Sequence, residues 1–340
     1  MPLRVLHLIG SPVSDFFVEL SRVYAEDCLS ATANPELYEV VLAYVTPDGL
    51  WRFAPDLNAV QDAPGLTVGA AIEHLARLAI DVAVPQMFCL PGMTTYRSVL
   101  DLLGIPYVGN GAEVMALGAH KARTRAVVAA AGVRVPIGEL LRAGDRPTLS
   151  PPVVVKPARA DNSVGIALVA EVCDYPGALS AAFEHDTEVL VETYVPLGRE
   201  VRCGVLEQDR TLLCLPLEEY AVDSDLKPIR TYDDKLRRST TGVDLVAKDA
   251  TRAWIVDPDD PMTGAVWGAA SACHRALGCR DYSLFDFRID PAGQPWFLEA
   301  GLYCSFARTS VITTMAAAAG IPLAELFGKA LLQARSRSSS

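Results

Sequence analysis

Residues 283–300, SLFDFRIDPAGQPWFLEA, carry the clearest structural signal in this chain. Two runs rich in aromatic and branched residues flank an Asp-Pro-Ala-Gly turn, a composition typical of a β-hairpin. Asp286 lies in the first run and Glu299 in the second, each among apolar neighbours. Strand pairing would bring the two acids together, and carboxylates cannot face an apolar core unpaired. The pattern therefore predicts a magnesium site, with a salt bridge to Arg288 or Arg280 as the alternative.

The composition is that of a globular chain with a substantial core. Of the 340 residues, 51% are hydrophobic and 21% are charged, which excludes global disorder and predicts two or three domains. Lysine and arginine number 30 against 41 aspartates and glutamates, a formal net charge of −11. A general binder of nucleic-acid backbones has the opposite balance. We therefore expect no nucleic-acid partner, and any nucleotide ligand should be small and held in a pocket.

Cysteine, histidine and hydropathy patterns indicate a cytoplasmic protein without structural zinc. The 8 cysteines include no Cys-x-x-Cys pair, and the 5 histidines include no pair at ligand spacing. Reduced thiols are therefore expected. The first apolar run, residues 3–9, is too short for a signal peptide. No run reaches the roughly 18 apolar residues that a membrane span requires, so we expect no membrane segment.

Strands and helices alternate in the first third of the chain. Residues 3–9 and 80–85 are predicted strands and residues 94–103 a predicted helix, an alternation typical of a parallel α/β unit. The rest of the chain mixes hairpins with helices. The Ala-rich residues 113–131 predict one helix, and the last residues, 334–340, should be frayed and solvated.

Two lysines and a small polar loop are candidates for phosphate binding. Lys156 ends an apolar strand, where its ammonium must find an anion or water, and Lys121 lies in the Ala-rich helical segment. Residues 157–166, PARADNSVGI, contain Gly165, and backbone N–H groups in such a loop can point at phosphate oxygens. Taken singly, each feature is as well explained by a solvent-exposed lysine or by an ordinary surface turn.

Further polar candidates bracket a turn and occupy a long loop. Glu192 and Glu200 lie on either side of a turn after an apolar strand, where one of them could accept hydrogen bonds from ribose hydroxyls. Lys235 lies in the polar residues 221–262, a segment of a length that is usually functional or mobile. A lysine there could close over phosphates. For all three residues, simple solvation is the alternative.

Together these motifs resemble the ATP-grasp superfamily and, within it, the D-alanine–D-alanine ligase-like branch. The resemblance implies an ATP-grasp fold of α/β and α+β type and a cytoplasmic, ATP-dependent carbon–nitrogen ligase that uses ATP and Mg²⁺. Members of this branch are often homodimers. It also implies three domains, with ATP held between the central and the C-terminal one, and a disordered tail: 1–112, 113–194, 195–335 and 336–340. The matching stretches are 102–111, 121–136, 152–166, 189–192 and 278–299.

The resemblance implies roles for individual residues. Eight of them would bind the nucleotide: two phosphate-binding lysines, a glycine-rich phosphate loop, an acid at the adenine-binding hinge and an acid for the ribose. In chain order they are Lys121, Lys156, Asn162, Ser163, Val164, Gly165, Glu192 and Glu200. Asp286 and Glu299 match two magnesium ligands. Lys235 matches a lysine of a loop that covers the γ-phosphate, Asp15 a Glu near the first substrate's amino group, and Ser310 a serine that holds the second substrate's carboxylate.

Three departures from the branch concern the metal and the substrates. Gly301 stands where the branch has an Asn that is the third metal ligand. Leu284 stands where the branch has an Arg that binds a substrate carboxylate and stabilises the oxyanion. Residues 85–92, PQMFCLPG, replace a stretch that lines the first D-alanine site. We therefore expect the same phosphoryl chemistry on a different acceptor.

The altered stretches resemble the ligase of mycosporine-like amino acid biosynthesis. That family joins an amino acid such as serine, threonine or glycine to mycosporine-glycine, giving imino-mycosporines such as shinorine or porphyra-334. The expected partners are therefore two small-molecule substrates. The stretches that carry this resemblance are 85–97, 215–220, 229–236, 283–290 and 297–307.

Two alternative functions stay open at this point. A D-alanine–D-alanine or other dipeptide ligase would work through an acyl phosphate, with Arg288 or Arg308 in place of the missing cation. A non-catalytic nucleotide-binding protein is favoured by Gly301 and disfavoured by the retained lysines and acids. Candidates for a wide apolar acceptor pocket, with core packing as the alternative for each, are Met87, Phe88, Tyr96, Tyr303 and Phe306.

Overall fold

The structure is a computed structural model that describes residues 2–160, 163–224, 227–230 and 251–337 and, for the backbone alone, 236–239 and 242–245. The N-terminal part forms the first sheet and its helices. Its elements are β1 (Leu3–Gly10), α1 (Asp15–Thr32), β2 (Tyr38–Val45), β3 (Trp51–Ala54), α2 (Val68–Arg77), β4 (Val82–Pro85), α3 (Leu90–Met93) and α4 (Thr95–Leu102). The sheet order is β3-β2-β1-β4, with β1 parallel to β2 and β4 and with β3 antiparallel to β2.

The middle part forms a second, antiparallel sheet of order β5-β8-β6-β7. Branched residues of its inner strands pack under one helix to form a small core of their own. Its elements are α5 (Ala112–Gly118), α6 (Lys121–Ala130), β5 (Gly138–Arg142), β6 (Val153–Pro157), β7 (Ala167–Val169), a 3₁₀ turn (Val172–Asp174), α7 (Tyr175–Phe183) and β8 (Glu188–Thr193).

The last part forms a third sheet, also antiparallel, of order β14-β11-β9-β15-β16, with β10 beside β9. The hairpin β12–β13 stands apart from this sheet, and β13 lies near α1. The elements are β9 (Arg199–Gln208), β10 (Thr211–Cys214), β11 (Glu218–Tyr220), β12 (Leu236–Ser239), β13 (Gly242–Leu245), β14 (Ala253–Ile255), α8 (Thr263–Leu277), β15 (Tyr282–Ile289), β16 (Pro295–Gly301), α9 (Val311–Ala318) and α10 (Leu323–Ser336).

The combination of a mainly parallel sheet with two antiparallel sheets is the α/β and α+β fold class expected from the sequence. β1 is an almost unbroken apolar run whose last six residues are buried, a pattern typical of a central strand in a parallel sheet. The division into three domains at residues 112 and 194 stays a prediction.

The hairpin predicted for residues 283–300 is confirmed, and its register aligns charged residues. Asp286 lies directly opposite Glu299 on β16 and directly opposite Arg202 on β9. β11 adds Glu218 opposite Arg202. Because directly opposed residues share a face of a sheet, Glu218, Arg202, Asp286 and Glu299 form one line across the third sheet, which we call the charged row.

Residues 113–131 form two helices, so the prediction of one helix was wrong. α5 ends at Gly118 and α6 begins at Lys121. A Cβ on Gly118 would lie 2.4 Å from a methyl carbon of Leu302, so the end of α5 is pressed against the chain beyond β16. The N–H of Lys121 donates to the carbonyl of Ala158 at 2.8 Å instead of continuing α5. The break places Lys121 beside the loop that follows β6.

The chain is ordered beyond residue 334, where the sequence predicted a frayed tail. α10 continues to Ser336, and Ala334 is fully buried. Arg337 donates to Asp281 through both terminal nitrogens, at 2.5 and 2.9 Å. The prediction was therefore wrong for residues 334–337, because a buried helix face and an ion pair hold them. Residues 338–340 lie outside the described part of the chain.

All eight cysteines are free thiols, as expected, and six of them are buried. Within the described ranges, no single helix is both long and apolar enough to cross a bilayer. Only α9 and α10 taken together reach that length and apolarity, and the chain bends by 112° between them.

Gly10, at the end of β1, is expected to tolerate no side chain. Its φ is +94°, and an added Cβ would lie 2.1 Å from the carbonyl oxygen of Val45. We expect Gly10→Ala to lower the free energy of unfolding by about 3 kcal/mol, from backbone strain and steric overlap together. Gly49→Ala is the control, since φ is +78° there with no atom within 4 Å, and it should cost about 1 kcal/mol. If urea denaturation shows the same loss of unfolding free energy for both variants, the close approach of Gly10 to Val45 is contradicted.

Candidate active site

A cleft between the second and third sheets gathers most of the residues predicted from the sequence. It encloses about 760 Å³, including solvent at its mouth, which is within the range of small-molecule sites. Its apolar lining includes Val154, Ile166, Val195 and Leu298. The charged residues of its described lining are Lys121, Lys156, Glu192, Glu200, Arg230, Asp286, Arg288 and Glu299.

Lys156 is held in the cleft by an acid on the neighbouring strand. β6 and β8 are paired, and Nζ of Lys156 lies 2.5 Å from Oε2 of Glu192. Glu192 is 3% exposed, and its Oε1 lies 3.0 Å from Nε of Arg125. The resemblance assigned Glu192 to the adenine hinge and did not indicate that its carboxylate compensates two cations, the buried Lys156 at a predicted phosphate site and the partly exposed Arg125.

Lys121 reaches the same cleft from the start of α6. Its ammonium donates to the carbonyl of Ala160, in the predicted phosphate loop. It also lies 3.8 Å from Oε2 of Glu299 on the third sheet. The two predicted phosphate-binding lysines therefore approach the cleft from different elements, each paired with an acid.

Asp286 is paired with Arg202, not with the arginines named as alternatives from the sequence. Nη2 of Arg202 donates to Oδ2 of Asp286 at 2.6 Å, and Nε donates to Oδ1. Although burial opposes it, the Asp286 carboxylate raises the pKa of the Arg202 guanidinium well above its ordinary value. Arg280 instead donates to the carbonyl of Gly109 at 2.7 Å. No local sequence pattern distinguishes Arg202 from a solvated arginine.

Glu200, the predicted ribose acid, lies between two arginines. Nη2 of Arg288 donates to its Oε2 at 2.7 Å, and Nη1 of Arg230 lies 3.8 Å from its Oε1. The guanidinium of Arg230 also lies 3.5 Å from the ring centroid of Tyr220, a cation–π contact. Sequence reasoning missed Arg230 as a cleft residue.

The predicted phosphate loop borders the cleft. Ser163 and Val164 line it. Gly165 has a φ of +70°, and an added Cβ would lie 2.8 Å from both His185 and Pro157, so only glycine fits this position without rearrangement. Asn162 lies outside the described residues.

The remaining predicted site residues lie away from the cleft or outside the described chain. Asp15 is the exposed first residue of α1, and Ser310 is the buried residue that precedes α9. Neither belongs to the lining of the cleft. Lys235 lies outside the described residues.

The two single-residue departures noted in the sequence lie opposite each other. Leu284 on β15 is the register partner of Gly301 on β16 and of Gly204 on β9. Leu284 is 7% exposed and belongs to a core cluster with Met315 and Phe306. A Cβ on Gly301 would lie 3.6 Å from Cβ of Leu284, an ordinary contact. The third sheet therefore carries neither a cation nor an amide at positions 284 and 301, beside the pair formed by Asp286 and Glu299.

Three aromatic side chains meet beside the third sheet. The ring centroids of Tyr24 and Phe88 are 5.2 Å apart, and those of Phe88 and Tyr303 are 5.6 Å apart. Phe88 is buried, whereas Tyr24 and Tyr303 are partly exposed. We call these three residues the aromatic group. Met87 and Phe306 lie in core clusters and Tyr96 packs against one, as the core-packing alternative expects.

The cleft residues fit a magnesium nucleotide. Asp286 and Glu299 supply oxygen ligands of the kind that Mg²⁺ prefers, and Mg²⁺ completes its shell with water and phosphate oxygens. Lys121 and Lys156 supply positive charge for a triphosphate. Among the described residues no group of three or more acids, histidines or cysteines is arranged to hold a metal ion, which agrees with the glycine at position 301.

Sequence comparison identifies relatives over most of the chain. The family model described as D-ala D-ala ligase C-terminus matches residues 144–332. The D-alanine–D-alanine ligase of Mycolicibacterium smegmatis is 31% identical over 88% of this chain and 89% of its own length. The D-alanine–D-alanine ligase of Corynebacterium diphtheriae is 30% identical over 92% of each chain.

Solved structures share the architecture. The VanG D-Ala:D-Ser ligase from Enterococcus faecalis matches with a TM-score of 0.80 and 23% identity, over 98% of this chain and 100% of that one. The D-alanine–D-alanine ligase from Bacillus anthracis complexed with ATP matches with a TM-score of 0.74 and 19% identity, over 100% and 99%. The fold class expected from the sequence is thereby confirmed.

Lys156 is expected to contribute strongly to nucleotide affinity. The substitution Lys156→Met removes one ammonium group that would contact the triphosphate. Glu192 still has its ion pair with Arg125, so the variant should fold. A hydrogen bond to a charged group contributes about 2 kcal/mol, so the Kd for the ATP analogue AMP-PNP with Mg²⁺ should rise at least about 10-fold in calorimetry. Lys329→Met, at a half-exposed lysine on α10, is the control. Unchanged affinity in Lys156→Met would remove the nucleotide assignment.

Restoring an amide at position 301 should strengthen metal binding. A Cβ at position 301 would make only ordinary van der Waals contacts, and the amide of an Asn there would add one oxygen ligand beside Asp286 and Glu299. We expect Gly301→Asn to bind Mn²⁺ severalfold more tightly in an electron paramagnetic resonance titration with AMP-PNP present, because each added ligand contributes to affinity. A folded variant whose Mn²⁺ affinity is unchanged would contradict the placement of the metal site.

Proposed function

The chain belongs to the D-alanine–D-alanine ligase family, and from that premise we propose that it joins an amino acid to mycosporine-glycine. It is an ATP-dependent carbon–nitrogen ligase with the ATP-grasp fold, and it uses ATP and Mg²⁺. The proposed amine is serine, threonine or glycine. The product would be an imino-mycosporine such as shinorine or porphyra-334, released in the cytoplasm with ADP and phosphate.

The acceptor proposal rests on the side chain at position 284. In the branch that this chain resembles, an Arg at this position binds a substrate carboxylate. Leu284 lies in the core and places no charge beside the acid pair. The loss of this cation removes the partner of a substrate carboxylate, and it supports an acceptor that presents a different oxygen.

The two arginines considered as replacements for the missing cation are held elsewhere. Arg288 donates to Glu200 at 2.7 Å and to the carbonyl of Pro228 at 2.9 Å. Arg308 donates to the carboxylate of Asp27 on α1, at 2.6 Å from its backbone nitrogen and at 2.8 Å from Nε. These bonds would have to break before either guanidinium could meet a substrate carboxylate, which weakens the dipeptide-ligase alternative.

The first step transfers the γ-phosphoryl group to an oxygen of the acceptor. Mycosporine-glycine has a ring carbonyl conjugated through a C=C bond to nitrogen, so its oxygen carries partial negative charge and can attack phosphorus while ADP leaves. Lys121 and Lys156 would exchange their carboxylate partners for phosphate oxygens and offset charge on the transferring group. Mg²⁺ held by Asp286 and Glu299 would supply further neutralisation of the phosphates.

In the second step the amine replaces the phosphorylated oxygen. The amine nitrogen adds to the ring carbon, the C–O bond breaks with its electron pair on oxygen, and phosphate leaves with that oxygen. Loss of a proton from nitrogen gives the imine. Ser310 and Asp15 keep their proposed roles toward the carboxylate and amino groups of the substrates, since each lies at the start of a helix, α9 and α1 respectively.

A covering segment would protect the phosphorylated intermediate from water. The hairpin β12–β13 follows Lys235 directly in the sequence, and β13 lies near α1 of the first part of the chain. This placement supports the proposal that Lys235 belongs to a segment that covers the γ-phosphate.

A D-alanine–D-alanine or other dipeptide ligase is the second candidate function. It is supported by the names of the sequence relatives, which favour it more directly than they favour mycosporine-glycine. In that reaction a carboxylate oxygen takes the phosphoryl group and an acyl phosphate is attacked by the second amino acid. The same lysines and acids would serve, so only the substrates separate the two candidates.

We expect the protein with ATP, Mg²⁺, mycosporine-glycine and serine to form a product that absorbs at longer wavelength than mycosporine-glycine, because the imine extends the conjugation. Absorbance and mass spectrometry measure it, with threonine and glycine as further amines and D-alanine with ATP as a parallel arm. Phosphate release with D-alanine alone and an unchanged mycosporine-glycine spectrum would overturn the proposal in favour of the dipeptide ligase. Glu299→Gln should be inactive in whichever reaction the wild type performs.

A further inference from the structure

Arg202 occupies a position in the charged row that the nucleotide reaction described above does not use. On β9 it lies between Glu218 on β11 and Asp286 on β15. Asp286 lines the cleft, whereas Arg202 is absent from the lining. Arg202 therefore stands one strand beyond the acid that we assign to the metal, next to the nucleotide cleft but outside it.

The guanidinium of Arg202 is held in place and, toward the described residues, keeps donors to spare. Within those ranges it donates two hydrogen bonds to Asp286 and stacks on Tyr220, whose ring centroid is 5.6 Å away. A guanidinium carries five N–H donors, and Asp286 takes donors from only two of its three nitrogens. The side chain of Arg202 is 18% exposed, so a substrate can reach it.

Arg202 also lies within electrostatic reach of the aromatic group. Burial and the Cys304 thiol raise the pKa of Tyr24 to about 12, and the positive charge of Arg202 acts in the opposite direction. Tyr24 comes from α1, Phe88 follows β4, and Tyr303 follows β16. Tyr303 lies four residues after Glu299, the last member of the charged row, so this segment connects the aromatic group to the row that holds Arg202.

We propose that Arg202 and the aromatic group form the acceptor site, in which Arg202 binds the oxygen that receives the phosphoryl group. The ligand class is a flat, conjugated ring compound whose oxygen carries partial negative charge. This inference rests on the proposed function and deepens it by naming the residues that select the acceptor. Aromatic side chains favour contact with a flat π-system, and a guanidinium favours an electron-rich oxygen.

Arg202 has a part in each half of the reaction. It first orients the ring oxygen toward the cleft, since Asp286 on the adjacent strand lines that cleft. After phosphoryl transfer, the C–O bond breaks with its electron pair on oxygen, and negative charge grows on the departing phosphate. A guanidinium at that oxygen offsets the charge. Asp286 would also serve as a metal ligand, so a bound Mg²⁺ would compete with Arg202 for this carboxylate.

The test compares two arginines on one strand. Arg202→Met removes the cation that we propose binds the acceptor. Arg202→Lys keeps a positive charge but loses the planar guanidinium with its paired N–H donors. Arg199→Met is the matched control, because Arg199 on β9 also makes a double ion pair, with Glu219 at 2.6 and 2.9 Å, but lies away from the charged row. Calorimetry measures the Kd of AMP-PNP with Mg²⁺, and then the Kd of mycosporine-glycine in the presence of AMP-PNP.

We expect Arg202→Met to raise the Kd of mycosporine-glycine by about 10- to 100-fold, while the Kd of AMP-PNP changes less than about threefold. Arg202→Lys should recover part of the loss, and Arg199→Met should leave both constants unchanged. Tyr303→Leu should weaken acceptor binding by a smaller factor, about 2- to 10-fold, without affecting the nucleotide.

Two results would overturn the inference in different ways. If the wild type binds mycosporine-glycine and Arg202→Met binds it equally well, Arg202 is only a counter-ion for Asp286, and the proposed function stands without it. If Arg202→Met loses nucleotide affinity in step with acceptor affinity, its role is likewise structural. If the wild type binds no mycosporine-glycine, the proposed function fails and the inference falls with it.

Discussion

Charge compensation inside the cleft allows its walls to carry several acids. Every acid in the described lining of the cleft faces a cation on another element or on a neighbouring strand. The four pairs are Glu192–Lys156, Glu299–Lys121, Asp286–Arg202 and Glu200–Arg288. A buried charge left without its partner costs about 3–5 kcal/mol. The three buried acids, Glu192, Glu200 and Asp286, are tolerated on the walls of the cleft because each has a cation within its own sheet.

The same pairs explain how the cleft can take a highly charged ligand. A magnesium triphosphate brings charges of both signs, so phosphate oxygens compete for the lysines and the metal competes for the carboxylates. Binding then exchanges one compensated arrangement for another. Arg202 differs from the lysines because it lies beyond the cleft. If a metal ion takes the Asp286 carboxylate, the guanidinium of Arg202 becomes available to the acceptor. The nucleotide, the metal and the acceptor are thereby linked through one carboxylate.

The sequence predicts the parts of this arrangement that are local. The turn between β15 and β16 sets Asp286 opposite Glu299, and the apolar run before Lys156 places that lysine at a strand end. Arg202 was not predicted, because its partner is 84 residues away along the chain and nothing near it distinguishes it from a solvated arginine. The break at Gly118 was missed for the same reason, since the side chain that presses on it belongs to a distant segment. Tertiary contacts decided both.

Phosphorylation of the acceptor's oxygen before the amine attacks is the step on which the proposed chemistry depends. Oxygen-18 tracing measures it directly, with mycosporine-glycine labelled at its ring carbonyl, ATP and serine. We predict that one labelled phosphate is released for each imine formed, after correction for the fraction of oxygen-18 measured in the unreacted acceptor. Imine formation with unlabelled phosphate would contradict this chemistry, because the phosphoryl group would then have been transferred to water and not to the acceptor.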